Sequence, residues 1–329
     1  MRRPRLALLP LLPFLSLLLI AAASPTSTAG GPARAAGGPG RAMAASRATA
    51  ASDDAYWTAP RMAAARPAPD GVRAAGHGGA AAHGRAPAAD PPAPSRPFDG
   101  LPQVGTFFWA DDTGAGRSCG GTIVRSPHRD LVVGAGHCLR SPKPKRHFAF
   151  VPQYHDGRKP FGLFPVERVY LDQRYYDLGT DAGARWDYSV VRVGPRADGT
   201  EAEDAAGGVA LGVYPGYEHR RVRLIGYPGT DDATHPKPLD CRAATHRYTS
   251  TDPAAPGDFL EIACAGYIGG TSGGPFLTRS PAGYRLIGVI GGYHTGGDFP
   301  DISYSSYFTA DILALYVHAV RGDAPARPR

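Results

Sequence analysis

The feature that most restricts the fold is a series of short runs rich in Val, Ile, Phe and Tyr, separated by Gly, Pro and Asp. Such runs at fairly regular spacing are typical of an all-β sandwich or barrel. The runs cover residues 104–110, 120–124, 131–134, 148–151, 164–171, 188–193, 221–226, 259–264, 284–292 and 303–308. About 220 residues are enough for one domain of this kind. We therefore expect an all-β domain over residues 98–321, followed by a disordered tail over residues 322–329.

Only the end of this domain has the pattern of a helix. Thr309 is a suitable N-cap, and Asp311 suits the positive end of the helix dipole. The apolar positions that recur at helical spacing are Ile312, Leu315, Tyr316 and Ala319. The sequence therefore predicts a C-terminal helix that starts after Thr309.

Residues 1–29 have the layout of a secretory signal peptide. Residues 1–5 are basic, residues 6–23 are largely apolar but interrupted by Pro10 and Pro13, and small residues follow. Cleavage after Ala23 and cleavage after Ala29 both fit. The alternative is an uncleaved membrane anchor, since an apolar stretch of about 18 residues is close to the shortest membrane span. The prolines and the small residues favour removal, so we expect a secreted, extracellular protein without a membrane segment.

Residues 30–97 are dominated by Ala, Gly, Pro and Arg, and Tyr56 and Trp57 are almost their only large apolar side chains. Such a stretch buries too little apolar surface to offset the entropy of ordering it. We expect a disordered pro-segment or linker. Its arginines supply part of the formal charge of +7. That charge is therefore no sign of nucleic-acid binding, which calls for basic residues clustered on a folded face.

The heptapeptide GGTSGGP at residues 269–275 places Ser272 between glycines. A serine in a tight glycine-rich turn is a candidate nucleophile, although it needs a general base and a group that orients the base. The motif fits the strand-to-helix turn of α/β hydrolases as well as the GxSGGP loop of another class of serine hydrolase. In α/β hydrolases the acid and the histidine follow the serine. Because only residues 273–329 follow Ser272, the partners are expected upstream.

Two upstream motifs supply those partners. His137 lies in GAGHC, directly after the run 131–134, and Asp187 lies in WDYSVV at the start of the run 188–193. Alone, each residue would be read as an ordinary turn residue. Together they suit a base and a buried acid that holds the imidazole in one tautomer and stabilises the imidazolium.

In this order, GAGHC, WDYSVV and GGTSGGP resemble the His, Asp and Ser motifs of the trypsin/chymotrypsin-like serine peptidases, and the resemblance covers residues 98–320. The family's fold implies two six-stranded antiparallel β-barrels and a C-terminal helix. By this resemblance His137 is the general base, Asp187 orients it, and Ser272 is the acylated nucleophile. The N–H groups of Gly270 and Ser272 would form the oxyanion hole.

The same resemblance implies a disulfide between Cys119 and Cys138, which leaves Cys241 to pair with Cys264. A metal site is the alternative use of four cysteines, but no CxxC pair is present. Each disulfide closes a loop of about 20 residues and should stabilise the fold by about 3 kcal/mol in the entropic model.

Two positions depart from the vertebrate digestive enzymes of this family. Thr271 precedes the nucleophile, where those enzymes carry the aspartate that binds a new N-terminus, so activation by an inserted ammonium group is not expected. Gly266 stands where trypsins carry an acid that selects Lys or Arg. In the first of these respects the chain is more similar to secreted bacterial branches, including the glutamyl-endopeptidase-like group, which have no such aspartate.

The side-chain preference at the cleavage site has no clear anchor in the sequence. The expected walls of the specificity pocket are Gly266, Tyr267, Gly291, Gly292 and Tyr293. His294 is a candidate for binding an acidic substrate side chain, because glutamyl-specific relatives use a histidine near this place. The alternative is that His294 is an ordinary loop residue.

The sequence therefore predicts a secreted serine endopeptidase that needs no cofactor or metal, binds protein or peptide substrates but not nucleic acid, and acts as a monomer. The alternative is a two-barrel module with little or no activity that binds a peptide or a protein. The complete set of candidate catalytic residues favours the enzyme.

Overall fold

The computed structural model describes residues 41–44, 49–69, 90–141, 145–229 and 237–323. The expected signal peptide and the chain beyond Asp323 lie outside the described residues. None of the described helices is long and apolar enough to cross a membrane.

All ten predicted runs contain a strand. The strands are β1 (Arg41–Ala44), β2 (Arg66–Pro67), β3 (Arg96–Pro97), β4 (Val104–Ala110), β5 (Gly116–Val124), β6 (Leu131–Gly134), β7 (Arg146–Pro152), β8 (Phe164–Leu171), β9 (Ser189–Val193), β10 (Ala210–Leu211), β11 (His219–Gly226), β12 (Leu239–Thr249), β13 (Asp258–Ala263), β14 (Pro275–Ser280), β15 (Gly283–Val289) and β16 (Ile302–Ser306). The helices are α1 (Ala50–Tyr56), α2 (Ala59–Ala63), α3 (Gly136–Leu139), α4 (Gln173–Ala182), α5 (Ala202–Ala206) and α6 (Ala310–Arg321), with short 3-10 helices at Ala184–Trp186 and Tyr293–Gly296.

The first sheet closes into a six-stranded antiparallel barrel. Its strands follow the order β8, β7, β4, β5, β6 and β9, and β9 pairs again with β8. In β4 all seven residues are buried. Its alternating side chains reach two different clusters, with Phe107 in one and Phe108 in the other. A strand covered on both faces is continuously apolar instead of alternating, which explains the run VGTFFWA.

The second sheet consists of six antiparallel strands in the order β15, β14, β11, β12, β13 and β16, and β10 adds to it in parallel at β15. The two ends of this series are linked by a hydrogen bond from the Gly291 N–H to the Tyr304 carbonyl, at 3.0 Å. Strands β12 and β14 had no predicted counterpart. Most residues of β12 are at least partly exposed, so its sequence carries no apolar run. The two-barrel fold class predicted from the sequence is confirmed.

The prediction of disorder over residues 30–97 does not hold for the described residues 49–69 and 90–97. Helices α1 and α2 and strand β2 lie on the first barrel, where the Trp57 side chain is 1 % exposed. Strand β3 pairs with β12 of the second sheet. A few large side chains placed opposite a barrel surface are enough to order a segment whose average composition is poor in core residues.

The C-terminal helix α6 forms as predicted. The Thr309 side chain accepts a hydrogen bond from the Asp311 N–H, and Ile312, Leu315 and Ala319 are buried. The helix follows the second barrel but packs on the first. There the Tyr316 hydroxyl donates to the Arg125 carbonyl at 2.9 Å. Side chains of β8 and β9 donate to carbonyls at its end, from Arg168 to Gly322 and from Arg192 to Val320.

The structure contains both expected disulfides. Cys119 is joined to Cys138 in the first barrel, and Cys241 is joined to Cys264 in the second. Each one therefore cross-links a single barrel.

Candidate active site

The pairing of β6 with β9 brings His137 and Asp187 together. In this ladder Gly134, the last residue of β6, lies opposite Ser189, the first residue of β9. His137 lies three residues after Gly134 in the short helix α3, and Asp187 lies two residues before Ser189. The two motifs, far apart in sequence, therefore meet at one end of the first barrel.

The Asp187 carboxylate is fully buried and accepts three hydrogen bonds. Its Oδ1 accepts from the His137 backbone N–H at 2.7 Å, and its Oδ2 lies 2.8 Å from His137 Nδ1 and accepts from the Gly292 N–H at 2.8 Å. An ionised carboxylate at this position requires a proton on Nδ1, which makes Nε2 the acceptor nitrogen of the ring. The geometry therefore presents His137 in the tautomer of a general base.

The two candidate reactive atoms have no hydrogen-bond partner among the described residues. His137 Nε2 and Ser272 Oγ are both buried, and no hydrogen bond joins them. The Ser272 loop nevertheless rests on the first barrel, because the Gly120 N–H donates to the Ser272 carbonyl at 2.7 Å. Catalytic hydrogen bonds are often long in the free enzyme and shorten in the substrate complex. The two atoms are thus available for reaction.

Backbone geometry shapes the turn before Ser272. Gly270 has a φ of +88°, and a Cβ atom there would lie 2.8 Å from the Gly229 nitrogen and from the Tyr227 carbonyl oxygen. Only glycine fits this conformation and this space. The described hydrogen bonds engage the N–H groups of Gly273 and Gly274 but not those of Gly270 and Ser272. The two N–H groups expected to bind an oxyanion are therefore the ones left open.

Thr271 holds this turn without a charge. Its hydroxyl donates to the Ile268 carbonyl at 2.7 Å, and its own carbonyl accepts from the Gly274 N–H at 3.0 Å. The residue is fully buried. A neutral hydrogen bond thus occupies the position where an aspartate would need an ammonium partner.

Three predicted wall residues serve other parts of the structure. The Tyr267 side chain is fully buried and its hydroxyl donates to the Leu224 carbonyl at 2.7 Å, so it belongs to the core of the second barrel. Gly291 lies so close to Asp187 that a Cβ atom would be 3.0 Å from Oδ2. Gly292, with its N–H on the same oxygen, also supports the acid.

The other predicted wall residues lie near aromatic or polar groups. Tyr293 is buried among Tyr248, Phe259 and Tyr304. Gly266 has a φ of +87°, and a Cβ atom there would lie 3.3 Å from Ser95 Oγ.

His294 is bound by two carboxylates. Its Nδ1 contacts Asp298, and its Nε2 lies 3.0 Å from Asp252 Oδ2. The hydrogen bond to Asp298, with a further contribution from Asp252, raises the pKa of His294. Because both ring nitrogens are engaged and the trio carries a net negative charge when the ring is protonated, this arrangement disfavours an acidic substrate side chain.

Gly120 is a site residue that the sequence reasoning missed. It lies in SCGGTIV, and its N–H donates to the carbonyl of Ser272, the candidate nucleophile. A Cβ atom there would lie 2.9 Å from the Gly274 nitrogen. The available signal was the pair of glycines inside a strand, which often marks close approach of another backbone.

Among the described residues, one cluster has the composition of a cation site, formed by Asp99, His155 and Asp156. The Lys237 ammonium lies 2.7 Å from Asp99 and 3.6 Å from Asp156, so it already supplies positive charge to both carboxylates. We assign no metal to it.

No family model and no curated protein matches this sequence. Solved structures do match. The protease Anisep from Arthrobacter nicotinovorans superposes with a TM-score of 0.57 and 21% identity, over 69% of this chain and 99% of that one. The thermostable serine protease AL20 from an extremophilic microorganism gives 0.54 and 21%, over 68% and 98%, and a Glu endopeptidase gives 0.50 and 15%, over 71% and 98%. At the level of the fold these matches confirm the resemblance seen in the motifs: the chain has the chymotrypsin-like fold of bacterial serine proteases.

Proposed function

We propose that this protein is a secreted serine endopeptidase that cleaves peptide bonds through an acyl-enzyme formed on Ser272. The observation that carries the proposal is the buried Asp187–His137 pair, which leaves His137 Nε2 as an acceptor, while Ser272 Oγ is also buried without a hydrogen-bond partner among the described residues. In a purely structural histidine–aspartate pair we would expect the second ring nitrogen to be hydrogen-bonded as well, since an unpaired buried polar atom costs about 1–3 kcal/mol.

The first half of the reaction follows from this geometry. Ser272 Oγ attacks the substrate carbonyl carbon while His137 Nε2 takes the hydroxyl proton. The negative charge that develops on the carbonyl oxygen is stabilised by the N–H groups of Gly270 and Ser272. The C–N bond then breaks, and His137 returns its proton to the leaving amine.

Water completes the reaction by the same route. It attacks the acyl carbon and gives a proton to His137, and that proton passes to Ser272 Oγ when the acid product leaves. Asp187 keeps its negative charge throughout and stabilises the imidazolium in both halves.

We further propose that the protein is extracellular and acts as a monomer. The signal-like residues 1–29 and the two disulfides support export to an oxidising compartment.

The test is labelling of the purified protein with a fluorophosphonate probe, followed by mass spectrometry to locate the adduct. We expect one adduct, on Ser272, and none in Ser272→Ala. The matched control is Ser280→Ala, which removes a hydroxyl from the far end of β14 and should leave labelling unchanged. A folded wild-type protein that does not label would contradict the proposal and favour a binding module.

A further inference from the structure

Residues 49–69, here called the N-terminal segment, are part of the first barrel's core. Trp57 lies against Phe108, with ring centroids 5.4 Å apart, and its Nε1–H donates to the His147 carbonyl at 2.6 Å. Met62 and Ala65 belong to the same buried cluster. A segment whose removal would open the core is expected to remain in the mature protein rather than to be discarded as a pro-segment.

Polar contacts hold the same segment in place. Asp53 is buried and lies 3.0 Å from His147 Nδ1, while the Tyr56 ring stacks on the His147 ring at 3.7 Å. On the other side, the Lys159 ammonium donates to the Trp57 carbonyl at 3.2 Å. Two side chains of α1 and two from the barrel, far away in sequence, thus hold α1 in place.

The segment ends as a short strand along β5. Arg66 lies opposite Arg117 and Pro67 opposite Ser118 in a parallel ladder, and the Ala68 N–H donates to the Ser118 carbonyl at 3.0 Å. The Ala68 side chain is buried in the cluster that contains the Cys119–Cys138 disulfide.

This strand lies beside the catalytic loops on both walls of the cleft. On the first barrel, Ser118 is two residues before Gly120, whose N–H holds the Ser272 carbonyl. On the second barrel, Pro67 contacts Gly229, since a Cβ atom on that glycine would be 3.0 Å from Pro67 Cγ. The Gly229 N–H in turn donates to Gly269, next to the open N–H of Gly270.

The chemistry identifies which part of a substrate would meet this strand. His137 must protonate the leaving amine, so the residues after the scissile bond lie on the side of the barrel that carries His137. Strand β2 occupies the edge of β5 on that side, where an extended substrate would otherwise pair.

Resting on the proposed function, we propose that residues 66–68 block the leaving-group side of the cleft. The enzyme therefore prefers substrates with a small leaving group or few residues after the scissile bond. The N-terminal segment is a specificity-determining element of the mature enzyme.

The test compares two substrates with the same acyl part. One releases 7-amino-4-methylcoumarin, and the other releases a tetrapeptide. We expect wild-type kcat/KM to be at least about tenfold higher for the coumarin substrate, which corresponds to roughly 1.4 kcal/mol of transition-state stabilisation.

Ala68→Asp places a charge in the buried cluster and should release the strand, while Trp57 still anchors the segment. We expect the ratio of kcat/KM for the tetrapeptide substrate to kcat/KM for the coumarin substrate to rise about tenfold. Ala64→Asp makes the same change at an exposed position and is the matched control. Pro67→Gly, which removes the ring at Gly229, is a milder second variant should Ala68→Asp fail to fold.

Hydrogen exchange at the Ala68 or Ser118 region reports whether the strand has been released, and fluorophosphonate labelling reports the nucleophile independently. Equal cleavage of both substrates by the wild type would overturn the inference. An unchanged preference in a folded variant with faster exchange would do the same. Loss of labelling in the wild type would instead overturn the proposed function.

Discussion

The two halves of the candidate site are prepared in opposite ways. On the first barrel, the buried Asp187 carboxylate already has three hydrogen bonds, two with His137 and one with Gly292, in the absence of substrate. On the second barrel, Ser272 Oγ and the N–H groups of Gly270 and Ser272 have no partner among the described residues. In the proposed mechanism, the negative charge that stays on Asp187 is thus fully hydrogen-bonded, and the N–H groups that would stabilise the transition state are left without partners. Open buried dipoles reduce stability, and they stabilise charge only when it develops on the substrate.

The largest expected effect comes from changing Asp187, the fully hydrogen-bonded acid on the first barrel. Asp187→Asn replaces an acceptor-only group with an amide that can hold His137 in the wrong tautomer, and kcat should fall by about 10⁴-fold. Steady-state hydrolysis of the coumarin substrate measures this. Asp198→Asn, at an exposed acid, is the control. A loss below tenfold would mean that Asp187 does not orient the base.

On the second barrel, where the N–H groups of Gly270 and Ser272 have no partner among the described residues, Gly270→Ala should lower kcat. The new methyl group would meet the Gly229 nitrogen and the Tyr227 oxygen at 2.8 Å, so the turn must shift and its N–H with it. We expect kcat to fall by about 10²–10³-fold, as when an oxyanion donor is lost.

Gly216→Ala is the matched control for this change. Gly216 has a similar φ of +84° but no described atom within 4 Å of the added Cβ. It therefore carries the backbone strain without the collision. Equal loss of activity in the two variants would show that strain, and not the position of the Gly270 N–H, causes the effect.

A smaller effect, on stability, is expected at Thr271, whose hydroxyl holds the turn before Ser272 through a neutral hydrogen bond. Thr271→Val keeps the shape but removes the hydroxyl donor to Ile268, which should lower the free energy of unfolding by about 1–2 kcal/mol. Urea unfolding measures this, with Thr278→Val on β14 as the control. An unchanged midpoint would mean that backbone contacts alone hold the turn.

The smallest effect separates the His294 site from the candidate catalytic pair of His137 and Asp187. His294 has carboxylates on both ring nitrogens, and the raised pKa means that the folded state favours its protonated form. This contribution to stability is fully present below the ordinary histidine pKa of about 6.5 and is lost as pH rises through the higher folded value. Asp298→Asn should therefore lower the melting temperature more at pH 5 than at pH 8. A difference that is independent of pH would contradict this assignment.

The sequence predicted the parts of the molecule that carry local signals. Helix α6 has a cap at Thr309 and regular apolar spacing, and both features appear in the structure. The strands with continuous apolar runs were found for the same reason. His137 and Asp187 were paired through a resemblance of motifs, and β6–β9 pairing explains why they meet.

The parts that were missed depend on distant contacts. Trp57 is one side chain in an Ala- and Pro-rich stretch, and nothing nearby indicates that Phe108 lies opposite it. Tyr267 was expected at a pocket wall. The direction of its side chain, toward Leu224, depends on how the second barrel packs.

Helix α6 also affects the order in which the two barrels can be completed during protein synthesis. Because α6 follows the second barrel but packs on β8 and β9, the barrel that carries His137 is completed by residues that are made after the second barrel. A nascent chain that stops at Thr309 contains every proposed catalytic residue but lacks that support. We therefore expect premature termination there to disturb His137 and Asp187 more than Ser272, although Ser272 lies nearer to the break in sequence.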